Sequence, residues 1–185
     1  MRKWIIALVG AAAAVSLIAA VSCSTAETNI SSYAEDRALI ENLQARYLFA
    51  LDFFDLDTYV STFTEDGILD IIEYQVQGRD EIRKKLEEAR TVFDPSSENE
   101  EGPYPPTGRH NITNIVLKID GDKASGRAYW FHYDNNNPER HAQLDAYGHY
   151  EDEMAKVNGQ WLFSKRVIYN ESVADWIAPS QNPSW

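Results

Sequence analysis

An α+β domain, with helices first and a mainly antiparallel sheet after them, is the fold class this chain predicts. Three observations carry the prediction. Apolar residues recur at helical spacing through the first half, from Ile40 to Phe54 and again from Ile82 to Phe93. After the proline-rich stretch ending at Gly108 the spacing changes to strand alternation, punctuated by the hairpin signals Gly121-Asp122 and Asn158-Gly159. With 185 residues and 44% apolar composition, the chain can bury one good core and has little material for two.

The first residues read as a secretory leader. Arg2 and Lys3 supply the positive start, Trp4 to Ala20 the apolar stretch, and Ala20-Val21-Ser22 the small residues for cleavage, giving a signal peptide over 1–22. Cys23 follows at once, and this arrangement resembles the lipobox of bacterial lipoproteins, which implies acylation of that cysteine; ordinary cleavage and secretion is the other reading. Both give an exported protein, periplasmic or membrane-anchored in a bacterium. With no second cysteine, no intramolecular disulfide can form. Residues 23–33 read as a tether, 34–174 as the folded domain and 175–185 as a tail whose Trp176 and Trp185 have the domain or a partner to lie against. Loss of Arg2 and Lys3 would take the net charge of −12 to −14, which argues against a nucleic-acid partner.

Within the domain, Ile40, Leu43, Tyr47, Ala50 and Phe54 form one apolar face of a helix ending at Asp52. Asp55 and Asp57 are suited to cap a second, short helix carrying Tyr59, Val60 and Phe63. Asp66-Gly67 reads as a turn into a β-branched strand, Ile68 to Tyr74, and Gly78-Arg79-Asp80 opens a third helix, Glu81 to Phe93. The stretch from Asp94 to Gly108 is too rich in proline, glycine and charge for regular structure, and reads as an access lid or plain surface. Strands follow over Arg109–Asp120, Lys123–Tyr133, Leu144–Val157 and Trp161–Val173.

Asp52 stands out. The carbonyl end of a helix carries partial negative charge, so a carboxylate there needs either a cationic partner, such as Arg79 or Arg46, or a chemical role. The order of elements, with the segments Ala45-Arg-Tyr-Leu-Phe-Ala-Leu-Asp52, Phe63-Thr-Glu-Asp-Gly67, Gly78-Arg-Asp-Glu-Ile82, Arg109-His-Asn-Ile-Thr-Asn114 and Gly159-Gln-Trp-Leu-Phe-Ser-Lys-Arg166, resembles the SnoaL-like branch of the nuclear transport factor 2-like superfamily. The resemblance runs from Ala34 to Tyr169. It implies a cone-shaped barrel in which N-terminal helices pack on a strongly curved, mainly antiparallel sheet around a deep apolar pocket. Function is less constrained, since this fold hosts dehydratases, isomerases, cyclases, epoxide hydrolases and non-enzymes.

Within that superfamily the pattern is similar to scytalone dehydratase and the bile-acid dehydratase, which share an Asp ending the first helix and a His opening a strand after the long loop. Asp52 and His110 match these positions. A further pocket position, His in one enzyme and Asp in the other, matches His132, and Tyr47 matches a first-helix Tyr of the bile-acid enzyme. That enzyme's late-strand Arg falls at Asn170. The fungal enzyme's early-strand Tyr falls near Ile71, with Tyr74 the nearest phenol; Asn170 and Tyr74 are thus candidate substrate contacts.

The residues support this chemistry independently. Alternation puts His110, Ile112, Asn114 and Val116 on one face of a strand, and Ala128, Trp130 and His132 on one face of the next, so both imidazoles and Trp130 can face one cavity. Imidazole titrates near neutral pH, so the pair can supply an acid and a base. Asp52 would orient one ring and stabilise its protonated form, and Tyr47 would hydrogen-bond a substrate oxygen. Tyr150 and Asp152, on the face of Gly148 and Met154, either line the pocket or pair across the sheet. His141 and His149 read as surface or opposite-face residues. No metal or cofactor is expected: the histidines lack a short ligand spacing, and neither a Gly-x-Ser-x-Gly elbow nor a phosphate loop is present. The expectation is a cofactor-free lyase or isomerase acting on a small apolar or aromatic ring-containing substrate, its only membrane link a lipid at Cys23, with homodimers common in the superfamily. The alternative is a non-catalytic exported binding module of the same fold.

Overall fold

The computed structural model describes residues 32–71, 74–89, 108–135 and 137–173. The leader, Cys23, most of the 94–108 loop and the tail tryptophans lie outside the described residues. The chain divides into two units, Met1–Ala38 and Leu39–Trp185. In the first, residues 32–38 are helical; the second contains everything discussed below.

In the second unit, helix α1 runs from residue 39 to residue 52. Its buried residues Ile40, Leu43, Gln44, Tyr47 and Leu48 follow the helical period, so one face enters the core as the sequence predicts. The helix ends because Phe54 turns left-handed, at φ 53°. Asp55 N–H then donates to the Ala50 carbonyl at 2.8 Å and Phe54 N–H to the Leu51 carbonyl at 3.1 Å, the paired bonds of a Schellman stop. A phenylalanine in this conformation costs about 1 kcal/mol, and the stop makes Asp52 the last helical residue. Asp55 caps α2, Leu56–Ser61, by accepting from Thr58 N–H. Asp57 sits in the first turn instead and pairs with Arg83.

The expected turn at Asp66-Gly67 is corrected. Strand β1, Phe63–Ile71, runs through it and carries a register irregularity between Phe63 and Ile68. β2, Tyr74–Gln77, folds back antiparallel on β1, so the expected single strand is a hairpin. No turn dipeptide advertises that reversal. Helix α3, Arg79–Glu88, buries Ile82 and Leu86. β3, Gly108–Asp120, β4, Lys123–Asp134, β5, Gln143–Val157, and β6, Gln160–Asn170, match the predicted strands closely. The six strands form one sheet in the order β2-β1-β6-β5-β4-β3, antiparallel throughout except for the β1–β6 pair. This is the expected α+β architecture.

Three bulges decide which side chains face inward. β3 gains a residue between Thr113 and Val116, where Asn114 has φ 54°, so Ile112 faces the core but Asn114 and Val116 do not; the inward set resumes at Ile115, Leu117 and Ile119. Strict alternation had placed Asn114 and Val116 beside His110. β6 gains a residue between Phe163 and Lys165, which puts both Phe163 and Arg166 on the buried face. β5 gains one opposite the step from His132 to Tyr133, and the extra residue is Asp145.

Candidate active site

Asp52 meets His110 at the start of β3. Its side chain is 6% exposed, both carboxylate oxygens lie 3.1 Å from the His110 backbone nitrogen, and Oδ1 lies 2.6 Å from Nδ1. One carboxylate thus satisfies a backbone N–H and a ring nitrogen of the same residue. A carboxylate at Nδ1 selects the tautomer with hydrogen on that nitrogen and leaves Nε2 as an acceptor. The rival partner is engaged elsewhere: Arg79 donates to the Phe63 carbonyl from Nε at 2.9 Å and Nη2 at 2.6 Å, and pairs with Glu65 at 2.7 Å.

His110 and His132 are direct partners in the β3–β4 register, and their rings lie 4.4 Å apart at 39°. The His132 Nδ1 lies 2.7 Å from Asp145 Oδ1. Both side chains are mostly shielded, 15% and 18% exposed. Gly108 makes room for this pair, since a Cβ there would stand 2.3 Å from His132 Nε2 and 2.2 Å from the Tyr133 carbonyl oxygen. Trp130 is the next inward residue of β4, its ring 6.0 Å from His110 and 6.0 Å from Tyr150. Its indole N–H donates to the Tyr169 carbonyl at 3.1 Å. Gly148 permits that approach, because a Cβ there would fall 1.8 Å from the same carbonyl oxygen. Neither imidazole Nε2 has a hydrogen-bond partner among the described residues.

Beneath the histidines the core is polar at its centre. Arg166 and Asp152 are fully buried and form two bonds, Nε to Oδ1 at 2.8 Å and Nη2 to Oδ2 at 2.7 Å. Rings of Tyr47, Tyr150 and Phe163 surround the guanidinium at 4.2, 4.1 and 4.0 Å. Burial opposes the Arg166 charge, and Asp152 more than offsets it, holding the guanidinium above its ordinary range. Tyr47 belongs to this cluster. It is fully buried and its hydroxyl accepts from the Tyr59 hydroxyl at 2.8 Å, so the phenol expected to meet a substrate is engaged inside the core. Burial raises Tyr47, and raises Tyr59 and Tyr150 well above the ordinary phenol value, so all three are neutral at physiological pH. Beyond burial, neighbouring Tyr47, Asp152 and Asp52 also disfavour a Tyr150 phenolate, and the Arg166 guanidinium opposes them.

Asp52, His110, His132 and Trp130 are therefore brought together; Tyr150 bridges them to the core through Trp130, and Tyr47 lies one aromatic layer deeper. Tyr74 is not brought to the histidines: it lies on the opposite edge strand, with Lys85 over its ring. Asn170 pairs with Gly148 in register, but its side chain accepts from Ser172 N–H and Oγ–H in the turn after β6. His149 stacks on Tyr169 and bonds Glu171, and His141 is exposed, consistent with their reading as outer residues. Sequence reasoning missed Arg166 and Asp145. The signal for the first was Asp152 on the otherwise apolar face of β5, which demands a cation; for the second there was none, because its direction depends on a bulge. Among the described residues no three His, Cys, Asp or Glu side chains form a metal-binding set.

Solved structures share this architecture. A function-unknown protein from Mycobacterium tuberculosis is 23% identical over 79% of this chain and 85% of its own, with a TM-score of 0.64. A scytalone dehydratase candidate from Novosphingobium aromaticivorans is 24% identical over 83% and 95%, with a TM-score of 0.62. ActVI-ORFA from Streptomyces coelicolor is 18% identical over 74% and 98%, with a TM-score of 0.60. At such identity these likenesses show the fold alone. No curated protein matches the sequence. Residues 32–167, most of the chain and all of the site apart from the Tyr169 carbonyl and Asn170, match the SnoaL-like domain, and the protein belongs to that family.

Proposed function

We propose that the protein is a cofactor-free lyase or isomerase that acts by histidine acid–base chemistry on a small, largely apolar, ring-containing substrate. The observation that carries this reading is the His110–His132 pair, 4.4 Å apart, with a carboxylate behind the Nδ1 of each ring. Two imidazoles facing each other at this distance can work as a couple, one neutral and one protonated. In a dehydration the neutral ring takes the proton next to a substrate carbonyl, the electron pair forms the double bond, the C–O bond breaks, and the protonated ring gives its proton to the departing hydroxyl. Proton exchange with water then resets the pair. The same proton movement without a leaving group is an isomerisation. Retro-aldol release of formaldehyde is the second lyase reaction to consider: the base takes the hydroxyl proton, the oxygen electrons form the formaldehyde C=O as the C–C bond breaks, and the electron pair left on the substrate carbon takes a proton from the protonated imidazole. The Trp130 face beside His110 supports a ring-containing substrate. The SnoaL-like family includes polyketide cyclases and dehydratases, which supports an enzyme in general.

The test is a turnover screen on β-hydroxy carbonyl ring compounds, followed by His110→Ala, His132→Ala and Asp52→Asn on any hit. Loss of turnover in all three supports the reading. Unchanged rates would remove these roles and leave a ligand-holding module. We also propose export, with a lipid on Cys23; mass spectrometry of the mature N-terminus decides this, and an unmodified Cys23 or a start after Ala26 would exclude the lipid.

A further inference from the structure

We propose that Asp145 is a positioning residue of this site, fixing His132 as Asp52 fixes His110, so that the centre consists of two Asp–His pairs facing each other. This rests on the acid–base reading above and deepens it. The contact alone would be unremarkable, because the Asp145 side chain is 49% exposed and exposed pairs are commonly incidental. Two further features make it a built arrangement.

The first is the bulge. His132 pairs with Ala146 and Tyr133 with Leu144, so Asp145 is the extra residue between two ladder pairs. In an unbroken strand the neighbours of inward Ala146 point to the outer face, as Tyr147 does. The inserted residue bends the strand and brings the carboxylate to 2.7 Å from the His132 ring, on the strand's inner side. The second is Gly108 on the other flank. Its missing side chain is where the Nε2 edge of the ring lies. His132 is thus held from behind by Asp145, backed by the Gly108 backbone and faced by His110.

The two pairs differ in dryness. Asp52 is 6% exposed and anchored to a backbone N–H, whereas Asp145 reaches solvent. His110 is consequently the rigid member, and His132 is the member whose tautomer depends on one contact.

Nitrogen-15 NMR of the ring nitrogens in the purified full chain, with no substrate present, tests this. Wild type is expected to show His132 with hydrogen on Nδ1. In Asp145→Asn the amide can donate to that nitrogen, so His132 is expected to move to the Nε2–H tautomer while His110 stays unchanged, with Asp145→Glu retaining the wild-type state. A His132 tautomer indifferent to Asp145→Asn, or equal changes in both rings, overturns the proposal. Because this readout needs no turnover, it stands or falls separately from the enzymatic reading. On a substrate found by screening, Asp145→Asn is expected to lower kcat about tenfold or more with little change in KM, and an unchanged kcat would likewise count against it.

Discussion

Replacing Asp152 by Asn removes the one acid that, among the described residues, is bonded to the solvent-free Arg166 guanidinium. Both side chains of the pair are 0% exposed, so neither water nor salt screens the change. The two bonds, 2.8 and 2.7 Å long, are charge-assisted. Breaking one side of such a buried pair costs about 3–5 kcal/mol, because the remaining charge is left uncompensated. For a unit of this size that corresponds to a fall in Tm of roughly 12–20 °C. Urea unfolding followed by tryptophan fluorescence measures the loss. The companion variant, Asp152→Leu with Arg166→Met, removes both charges and fills the space with apolar atoms; it is expected to recover most of the stability. A single-variant loss below about 1 kcal/mol, or a double variant no better than the single, would refute the view that this pair is a mutually dependent core element.

Alkaline pH gives a second prediction. Below the ordinary phenol value of 10.0 the buried tyrosines are neutral in both the folded and unfolded chain, so their contribution is fully present. As pH rises past that value the unfolded chain ionises first, and stability falls by about 1.4 kcal/mol per pH unit for each of Tyr59 and Tyr150 until their raised folded-state values are reached. Denaturation midpoints at pH 9 and pH 11 should show the fall, and Tyr150→Phe should lessen it; an equal fall in both proteins contradicts the assignment. Gly108→Ala forces either the β3 edge or the His132 ring to move, at about 1–3 kcal/mol, and should shift the His132 ring resonances while sparing His149. Unmoved His132 signals would show that Gly108 does not back the ring.

Much of this was legible in the sequence because local rules and the global fold agree. The apolar stripe of α1, the Gly121-Asp122 and Asn158-Gly159 hairpins and the alternation along β4 each located their elements. Asp52 was identified by a violation, an anion at a helix carbonyl end, and the structure supplies its partner in His110. What escaped was set by bulges, which invert the face of every later residue in a strand. Asn114 and Val116 were expected beside His110 and are displaced by one extra residue; Arg166 was read only as part of a motif until the β6 bulge turned it inward. The β1–β2 reversal also escaped, since Ile71 and Tyr74 flank it without a turn signal. Tyr47 was correctly placed on the buried stripe. Its hydroxyl partner, Tyr59, could not be seen without knowing how α2 packs.

In the proposed chemistry the Asp52 carboxylate orients the His110 imidazole, holding Nδ1 and leaving Nε2 as the acceptor. The most direct measurement is the ring-nitrogen NMR spectrum of His110 in wild type and in Asp52→Asn at neutral pH. Hydrogen on Nδ1 in wild type, with a change of tautomer in the variant, is the predicted result. A wild-type His110 carrying its hydrogen on Nε2, or one indifferent to Asp52→Asn, would contradict it.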